Sequence, residues 1–349
     1  MAAIDTQDGQ VSDGELARNP LRIWPGLRFH LPRLFGGRHA SARQFRNRNI
    51  NLALQGGGAF GAFTWGVLDR LLEDESFMPS AVSGASAGAL NAAVMASGLA
   101  TKGRDGARES LGKFWAAVAQ SASTAYWTAP LLWSKSGIAK HRNPLADILK
   151  STVNIRRLKQ NPPFKLFISA TNARSFAPRI FTEADISIDA LLASACLPQI
   201  HETVRIGKEP YWDGGLSSNP PILPLVDAGL ADWTLLVKLL PSGAEAAHDP
   251  TSDIPAGLRL ASFARPLEAE LERLSHLSDL GRQSSQPMPK SLSRAARHRL
   301  DTIDGAATLA AQNRESLPTP ALVRRLHDAG RQAAEEWLAD VPELAATGT

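Results

Sequence analysis

The pentapeptide Gly84-Ala85-Ser86-Ala87-Gly88 follows the pattern G-x-S-x-G. Between a strand and a helix, that pattern holds a serine on a sharp turn, with its Oγ exposed between small neighbours. Gly84 and Gly88 supply the clearance, helped by Ala85, Ala87 and Ala89. The N–H of Ala87, at the start of the following helix, would then point at a developing oxyanion. Read alone, the same residues are a small-residue turn that packs a helix closely. A serine is also a weak nucleophile until a base accepts its proton. A Ser-His-Asp arrangement would draw on His141, His201, His248, His276, His298 or His327, yet none of these lies in a motif-like loop after a clear strand. Trp212-Asp213-Gly214-Gly215 offers a different base. Tyr211 and Trp212 suggest a short strand with a carboxylate at its end, and the flanking glycines let it approach a serine. In a partly dry cleft Asp213 could take the hydroxyl proton directly. As a lone Asp-Gly it reads instead as a hairpin turn.

A second glycine-rich segment, Gly56-Gly57-Gly58-Ala59-Phe60-Gly61, has three readings. It satisfies G-x-G-x-x-G between a strand and a helix, the setting of a dinucleotide loop. That reading needs an acid roughly 20 residues on, at the end of the second strand, to hold a ribose. Glu73, Asp74 and Glu75 have the separation but fall at the end of the helix, while the second strand runs into Ser83-Gly84-Ala85-Ser86. The second reading is an oxyanion hole, in which the glycines let the turn aim several backbone N–H groups at one spot. Each fixed donor there is worth about 100- to 1,000-fold in rate. The third is a turn needed only for close helix packing.

These motifs need elements to position them. Ile50 to Leu54 reads as a strand that stops at the glycines, and Ala59 to Leu72 as a helix. Ala81-Val82 marks the end of a short strand. Helices follow from Ala87 to about Ser97 and from Glu109 to Ala119. Phe164 to Ala170 is a buried strand, Ile188 to Cys196 a helix stopped by Pro198, and Leu235-Leu236-Val237 a further strand. Strands alternating with helices imply a largely parallel sheet covered on both faces, an α/β fold. Sites in such sheets form at the carboxyl ends of the strands, where all three motifs fall.

Taken together, the ordered motifs resemble the patatin-like phospholipases, bacterial branch. The resemblance rests on Gly56 to Gly61, Gly84 to Gly88 and Asp213-Gly214-Gly215. Ala193-Ser194-Ala195-Cys196-Leu197-Pro198 and Asn219-Pro220-Pro221 add to it. It covers about residues 49 to 240 and implies a patatin-like three-layer α/β/α fold with a mostly parallel central sheet. It further implies a Ser-Asp dyad of Ser86 and Asp213 acting on acyl lipids through an acyl-enzyme. The backbone of Gly57, Gly58 and Ala87 would hold the oxyanion, with Gly56 in the same loop. Gly61, Gly84, Gly88, Gly214 and Gly215 would support the motifs. No metal and no cofactor are expected. One departure stands out: Phe60 occupies a place where the family often has Arg or Lys. Without that cation the expected substrates widen to neutral esters, lysolipids and thioesters. Two alternatives are a catalytically silent lipid- or partner-binding protein on the same fold and a dinucleotide-binding protein.

Length and composition bound this picture. The chain has 349 residues, 44% hydrophobic and 21% charged, with a net charge of +4. Disordered and collagen-like chains are excluded. Its single cysteine, Cys196, precludes an internal disulfide framework and fits a reducing compartment such as the cytoplasm. Cys196 itself reads as a small packed residue. No apolar run reaches the length of a membrane span, and the acidic N-terminus lacks the apolar stretch of a signal peptide. Residues 1–48 read as a weakly ordered extension, 49–245 as the catalytic domain, and 246–349 as a helical region packed on or beside it. Between Arg18 and Arg48 stand eight arginines and no acid. That segment is a candidate for peripheral contact with an anionic membrane, and no nucleic-acid partner is expected. After about Pro250 no strand is evident. Leu267, Leu271, Leu274 and Leu277 form one helical stripe, Leu322, Leu326, Ala333 and Trp337 another, and Arg282 to Arg299 reads as a mobile basic loop.

Overall fold

Successive residues of the central strands face opposite sides of the sheet, and in this chain both sides are dry. Leu52 and Leu54 point into one apolar layer, and Ala53 between them points into the other. Leu235 and Val237 repeat the pattern around Leu236. A strand buried on both faces must lie inside a three-layer sandwich. The computed structural model has this architecture. It describes residues 49–75, 77–122, 144–198, 201–242, 254–283, 288–310 and 317–340. The basic extension, the expected boundary near residue 245, His141 and His248 lie outside the described residues.

Eight strands form one mixed sheet. In chain order they are β1 (Ile50–Leu54), β2 (Pro79–Ala85), β3 (Lys165–Asn172), β4 (Pro178–Phe181), β5 (Val204–Ile206), β6 (Glu209–Asp213), β7 (Trp233–Lys238) and β8 (Arg299–Asp304). The sheet order is β5-β6-β3-β2-β1-β7-β8, with β4 also paired to β3. β3, β2, β1, β7 and β8 run parallel, while β4, β5 and β6 are antiparallel to their partners. One detail of register matters for the site. Ala170 pairs with both Arg179 of β4 and Asp213 of β6, so those strands occupy opposite edges of β3. Ser169 pairs with Ala85 of β2 and Ile180 of β4. β2 and β6 therefore share one edge of β3 and meet end to end, Ala85 opposite Ser169 and Asp213 opposite the next residue.

The larger apolar layer holds α1 (Gly61–Leu71) and α2 (Ala87–Ser121). With them pack α3 (Pro144–Thr152), α4 (Ile155–Gln160) and α5 (Ile188–Ser194). The smaller layer is built by α6 (Leu223–Ala228), α7 (Ile254–Gln283) and α8 (Lys290–Arg297), whose Leu225, Leu267, Leu274 and Ala295 cover Ala53, Ala81 and Leu236. A short α9 (Ala306–Ala310) and the long α10 (Pro320–Asp340) complete the chain. No described helix is long and apolar enough to cross a membrane.

Two expectations need correction. Residues 299–304 are a strand where none was expected, and β8 extends the sheet as a parallel neighbour of β7. Leu300 and Ile303, three positions apart, face opposite layers, so Arg-Leu-Asp-Thr-Ile-Asp shows no clean alternation. Much of the supposed basic loop is α8, whose buried Ala295 sits under the sheet. The two helices expected within 87–119 are both present as the two arms of α2, which the non-helical backbone of Lys102 and Gly103 (φ 67°) divides.

The C-terminal stretch is part of the sandwich. α10 lies against α1 through two facing glycines. A Cβ on Gly66 would run into the His327 carbonyl, and one on Gly330 into the Phe63 carbonyl. Around this contact Asp69 accepts hydrogen bonds from Arg108 of α2 (2.7 Å) and Arg331 of α10. Burial alone would raise the Asp69 pKa. The His327 and Arg108 hydrogen bonds and the charges of Arg108 and Arg331 outweigh it and hold the carboxyl well below the usual range. Gly330→Ala tests the close packing. In an open helix this change stabilises, by up to about 1 kcal/mol. Here overpacking should destabilise by about 1–3 kcal/mol, read as a lower urea midpoint.

Candidate active site

Ser86 terminates β2 and caps α2 with φ 51° and ψ −127°. A positive φ is strained for a side chain with a Cβ, of order 1–3 kcal/mol, and persists only where the surroundings impose it. The neighbours do so here. The Ser86 N–H donates to Ser194 Oγ (3.1 Å), and its carbonyl accepts from Leu90 N (3.1 Å). Gly88 has no room for a Cβ, which would strike the Leu54 carbonyl at the end of β1, and a Cβ on Gly84 would meet Ala89 N at 2.7 Å. The G-x-S-x-G glycines are thus required by close backbone approach on both sides of the serine.

Ser86 Oγ donates to Asp213 Oδ2 at 2.7 Å across 127 positions of sequence. The register above explains the meeting: β2 delivers the serine and β6 the aspartate to adjacent places on β3. Asp213 is fully buried. Its Oδ1 accepts from Gly215 N (2.8 Å), its own N–H donates to the Cys196 carbonyl (2.7 Å), and its carbonyl accepts from Thr171 Oγ1 (2.7 Å). Burial raises the Asp213 pKa from 3.8 to about 7, against the opposing pull of the Ser86 and Gly215 hydrogen bonds. A side chain at Gly214 would collide with the Ser169 carbonyl, so glycine lets the carboxylate turn sit against β3. A group protonated below neutrality and ionised above it suits proton transfer near pH 7.

The glycine loop lies over the same spot. Gln55 Oε1 accepts from Leu239 N (2.7 Å) and Leu240 N (2.9 Å), tying the end of β1 to the end of β7. Gly58 has φ +58° with open space around it. Gly61 opens α1 against Ala87 and Trp115, with Asn91 Nδ2 donating to its carbonyl (2.9 Å). The grouping of Gly56 with the oxyanion donors does not fit, because its N–H is bound to Asn219 Oδ1 at 2.7 Å. Among the described residues no acceptor engages the N–H groups of Gly57, Gly58 or Ala87. Those three remain available to a ligand.

The described histidines serve elsewhere. His201 Nδ1 accepts from Leu197 N (3.0 Å), and burial lowers its pKa to about 4. His298 contacts Thr234 Oγ1 (2.8 Å) and is lowered likewise. His327 stacks on Trp65 beside Asp69, and His276 is exposed. None of them hydrogen-bonds Ser86. Burial pushes the Cys196 thiol up to about 11, and its Sγ–H donates to the Glu202 carbonyl (3.2 Å), in keeping with a packed residue. Among the described residues no three His, Cys, Asp or Glu side chains converge as metal ligands. A cleft of about 540 Å³ between α2, α3 and α4, lined by Lys102, Lys113 and Lys150, contains neither Ser86 nor Asp213.

Two residues support the site: Asn219, whose motif gave it no role, and Glu270, which no motif marked. Asn219, part of the Asn-Pro-Pro sequel, bridges Gly56 N to the Phe263 carbonyl of α7, the latter at 2.8 Å. Glu270 of α7 is buried and accepts from Ser218 Oγ (2.8 Å), Ile222 N (2.8 Å) and Leu223 N (3.0 Å). α7 thereby grips the segment after Asp213 on both sides of Asn219. A signal for Glu270 exists: it lies three residues after Leu267 and four before Leu274, on the apolar face.

No curated protein sequence matches the chain. Among solved structures, VipD from Legionella pneumophila is 16% identical over 83% of this chain and 67% of its own, with a TM-score of 0.42. The ExoU-SpcU complex of the type III secretion system of Pseudomonas aeruginosa is 17% identical over 73% of this chain and 58% of its own, with a TM-score of 0.30. The sequence profile described as patatin-like phospholipase matches residues 52–226, half of the chain, and spans the glycine loop, Ser86 and Asp213. The chain belongs to the patatin-like phospholipase family.

Proposed function

We propose that this chain is a serine lipid acyl hydrolase in which Ser86 and Asp213 form the catalytic dyad. The observation that carries the reading is the 2.7 Å bond from Ser86 Oγ to a fully buried carboxylate, at a strained strand-to-helix turn. Family membership supports the lipid substrate class. Ser86 Oγ attacks the ester carbonyl carbon while its proton passes to Asp213 Oδ2. The former carbonyl oxygen becomes an oxyanion that accepts hydrogen bonds from Gly57, Gly58 and Ala87, at the positive end of α2. As the tetrahedral species collapses, the C–O bond to the leaving group breaks and Asp213 returns the proton to the departing alcohol. Water then adds to the acyl-Ser86 ester and gives its proton to Asp213. The fatty acid leaves as Ser86 Oγ regains that proton. Phe60 adds no cation to the loop, so neutral esters and lysolipids are substrates alongside phospholipids.

The direct test is acyl-ester turnover by purified wild type, Ser86→Ala and Asp213→Asn. Each variant should lose about 100- to 10,000-fold in kcat, since it removes the nucleophile or the proton acceptor. More than a tenth of wild-type turnover in either folded variant would exclude the dyad. Failure of a fluorophosphonate to label wild-type Ser86, with no turnover of any acyl ester, would point instead to a silent binding protein.

The pH dependence has a definite sign. Below its raised pKa Asp213 is protonated and cannot accept the serine proton, so kcat/KM should climb with an apparent pKa of about 7. The linked effect on stability runs the other way. Between 3.8 and about 7 the folded state holds a proton that the unfolded chain has lost. Stability contributed by the neutral carboxyl is therefore present at low pH and is lost as pH rises through that window. Asp213→Asn should abolish this component. Urea titrations of both proteins at about pH 5 and about pH 8 measure it. Parallel shifts in the two proteins would contradict the assignment.

A further inference from the structure

The hairpin joining β3 to β4 ends in an exposed aromatic. Phe176 is 65% exposed and has φ 58°, the left-handed region that a bulky residue rarely adopts. The turn around it is firmly built. The Phe176 N–H donates to the Asn172 carbonyl (2.8 Å), and Asn172 Oδ1 accepts from Arg174 N (2.9 Å) and Ser175 N (3.1 Å). Asn172 Nδ2 donates to Glu209 (2.9 Å), and Ala173 N to the Pro210 carbonyl (2.9 Å), which lash the β3–β4 turn to the β5–β6 hairpin. The Phe176 ring stands 6.0 Å from that of Trp212, the residue before Asp213.

Both hairpins overhang the carboxyl end of the parallel strands, the end that carries Ser86. β3 runs three residues past Ser169, which lies opposite Ala85, before it turns. Arg174 and Arg179 on the β3–β4 hairpin and Arg205 and Lys208 on the adjoining β5–β6 hairpin are exposed. Arg174 faces Glu209 (3.6 Å), Arg179 faces Asp185 (3.9 Å), and Glu202 is a further exposed acid nearby in sequence. Among the described residues Arg205 and Lys208 carry no ion pair. An apolar ring held out on a rigid turn, with free cations behind it, fits the boundary of an anionic bilayer: the ring enters the acyl region and the cations stay with the headgroups.

We propose that Phe176 is an interfacial anchor that seats the open end of the active site on an anionic lipid surface. This inference rests on the lipid hydrolase reading for its purpose, but its test is separate. The full chain is sedimented with phosphatidylcholine vesicles, with and without phosphatidylglycerol. Turnover of a soluble monomeric ester is measured in parallel. Phe176→Asn keeps the turn, since asparagine tolerates positive φ, and removes the ring. It should weaken vesicle binding about tenfold or more, with soluble-ester turnover within about twofold of wild type. Phe176→Trp should restore binding. Arg205→Glu with Lys208→Glu should weaken binding only where phosphatidylglycerol is present. Wild-type binding by Phe176→Asn, or no vesicle binding by wild type, would overturn the anchor. So would an equal loss of soluble-ester turnover, which would place Phe176 in positioning Asp213. If wild type hydrolyses no ester, the enzymatic reading fails while sedimentation still decides the docking.

Discussion

A carboxylate can act as the base for a serine only when it is dry enough to want a proton and close enough to take one. These demands pull against each other, because burying a carboxylate is costly unless hydrogen bonds satisfy it. Asp213 meets both through two donors, Ser86 Oγ and Gly215 N, one on each oxygen. Much of the surrounding architecture serves that arrangement. β6 must run antiparallel to β3 so that its last residue arrives where β2 stops. The chain must then turn at once, and only glycine at 214 can lie against the Ser169 carbonyl. A parallel β6 in the same place would begin beside Ala85 and carry its last residue out to the level of Asn172, away from Ser86.

The layers behind this point are recruited from distant sequence. α7 holds the segment after Asp213 with Glu270, and Asn219 links the same segment to the glycine loop. Displacing α7 would therefore disturb the segment after Asp213 and the glycine loop together. On the other face α10 presses on α1 through Gly66 and Gly330, and α1 begins at the glycine loop beside Ala87. The C-terminal stretch acts as two braces on one site, one on each face of the sheet, rather than as a separate module.

What could be read from the chain follows the range of the interactions involved. The serine turn, the glycine loop and the Asp-Gly-Gly turn are local devices whose backbones need particular residues at fixed spacing, so they stand out. β1 and β7 stand out as mostly apolar runs, because both faces are covered. β8 is an edge strand with two apolar residues spaced by three, and it was missed. The grip of Glu270 on Ile222 and Leu223 depends on where α7 lands, and an acid on a helix usually reads as solvated. Gly56 shows the same limit within a motif: its spacing matches its neighbours, yet Asn219, 163 positions away, takes its N–H.

Among the described residues no histidine bonds to Ser86, and this has a physical counterpart in Asp213. A histidine suits such chemistry because its ordinary pKa already lies near neutrality. An aspartate in water is some three units too acidic to hold the proton in flight. Burial closes that gap here, lifting Asp213 from 3.8 to about 7. His201, near the same turn, is driven the other way by the same burial, to about 4, and would be a poor base. A dry pocket thus raises the carboxylate and lowers the imidazole. In the proposed dyad, the burial that would suit aspartate to this position is one that would hold a histidine below neutrality.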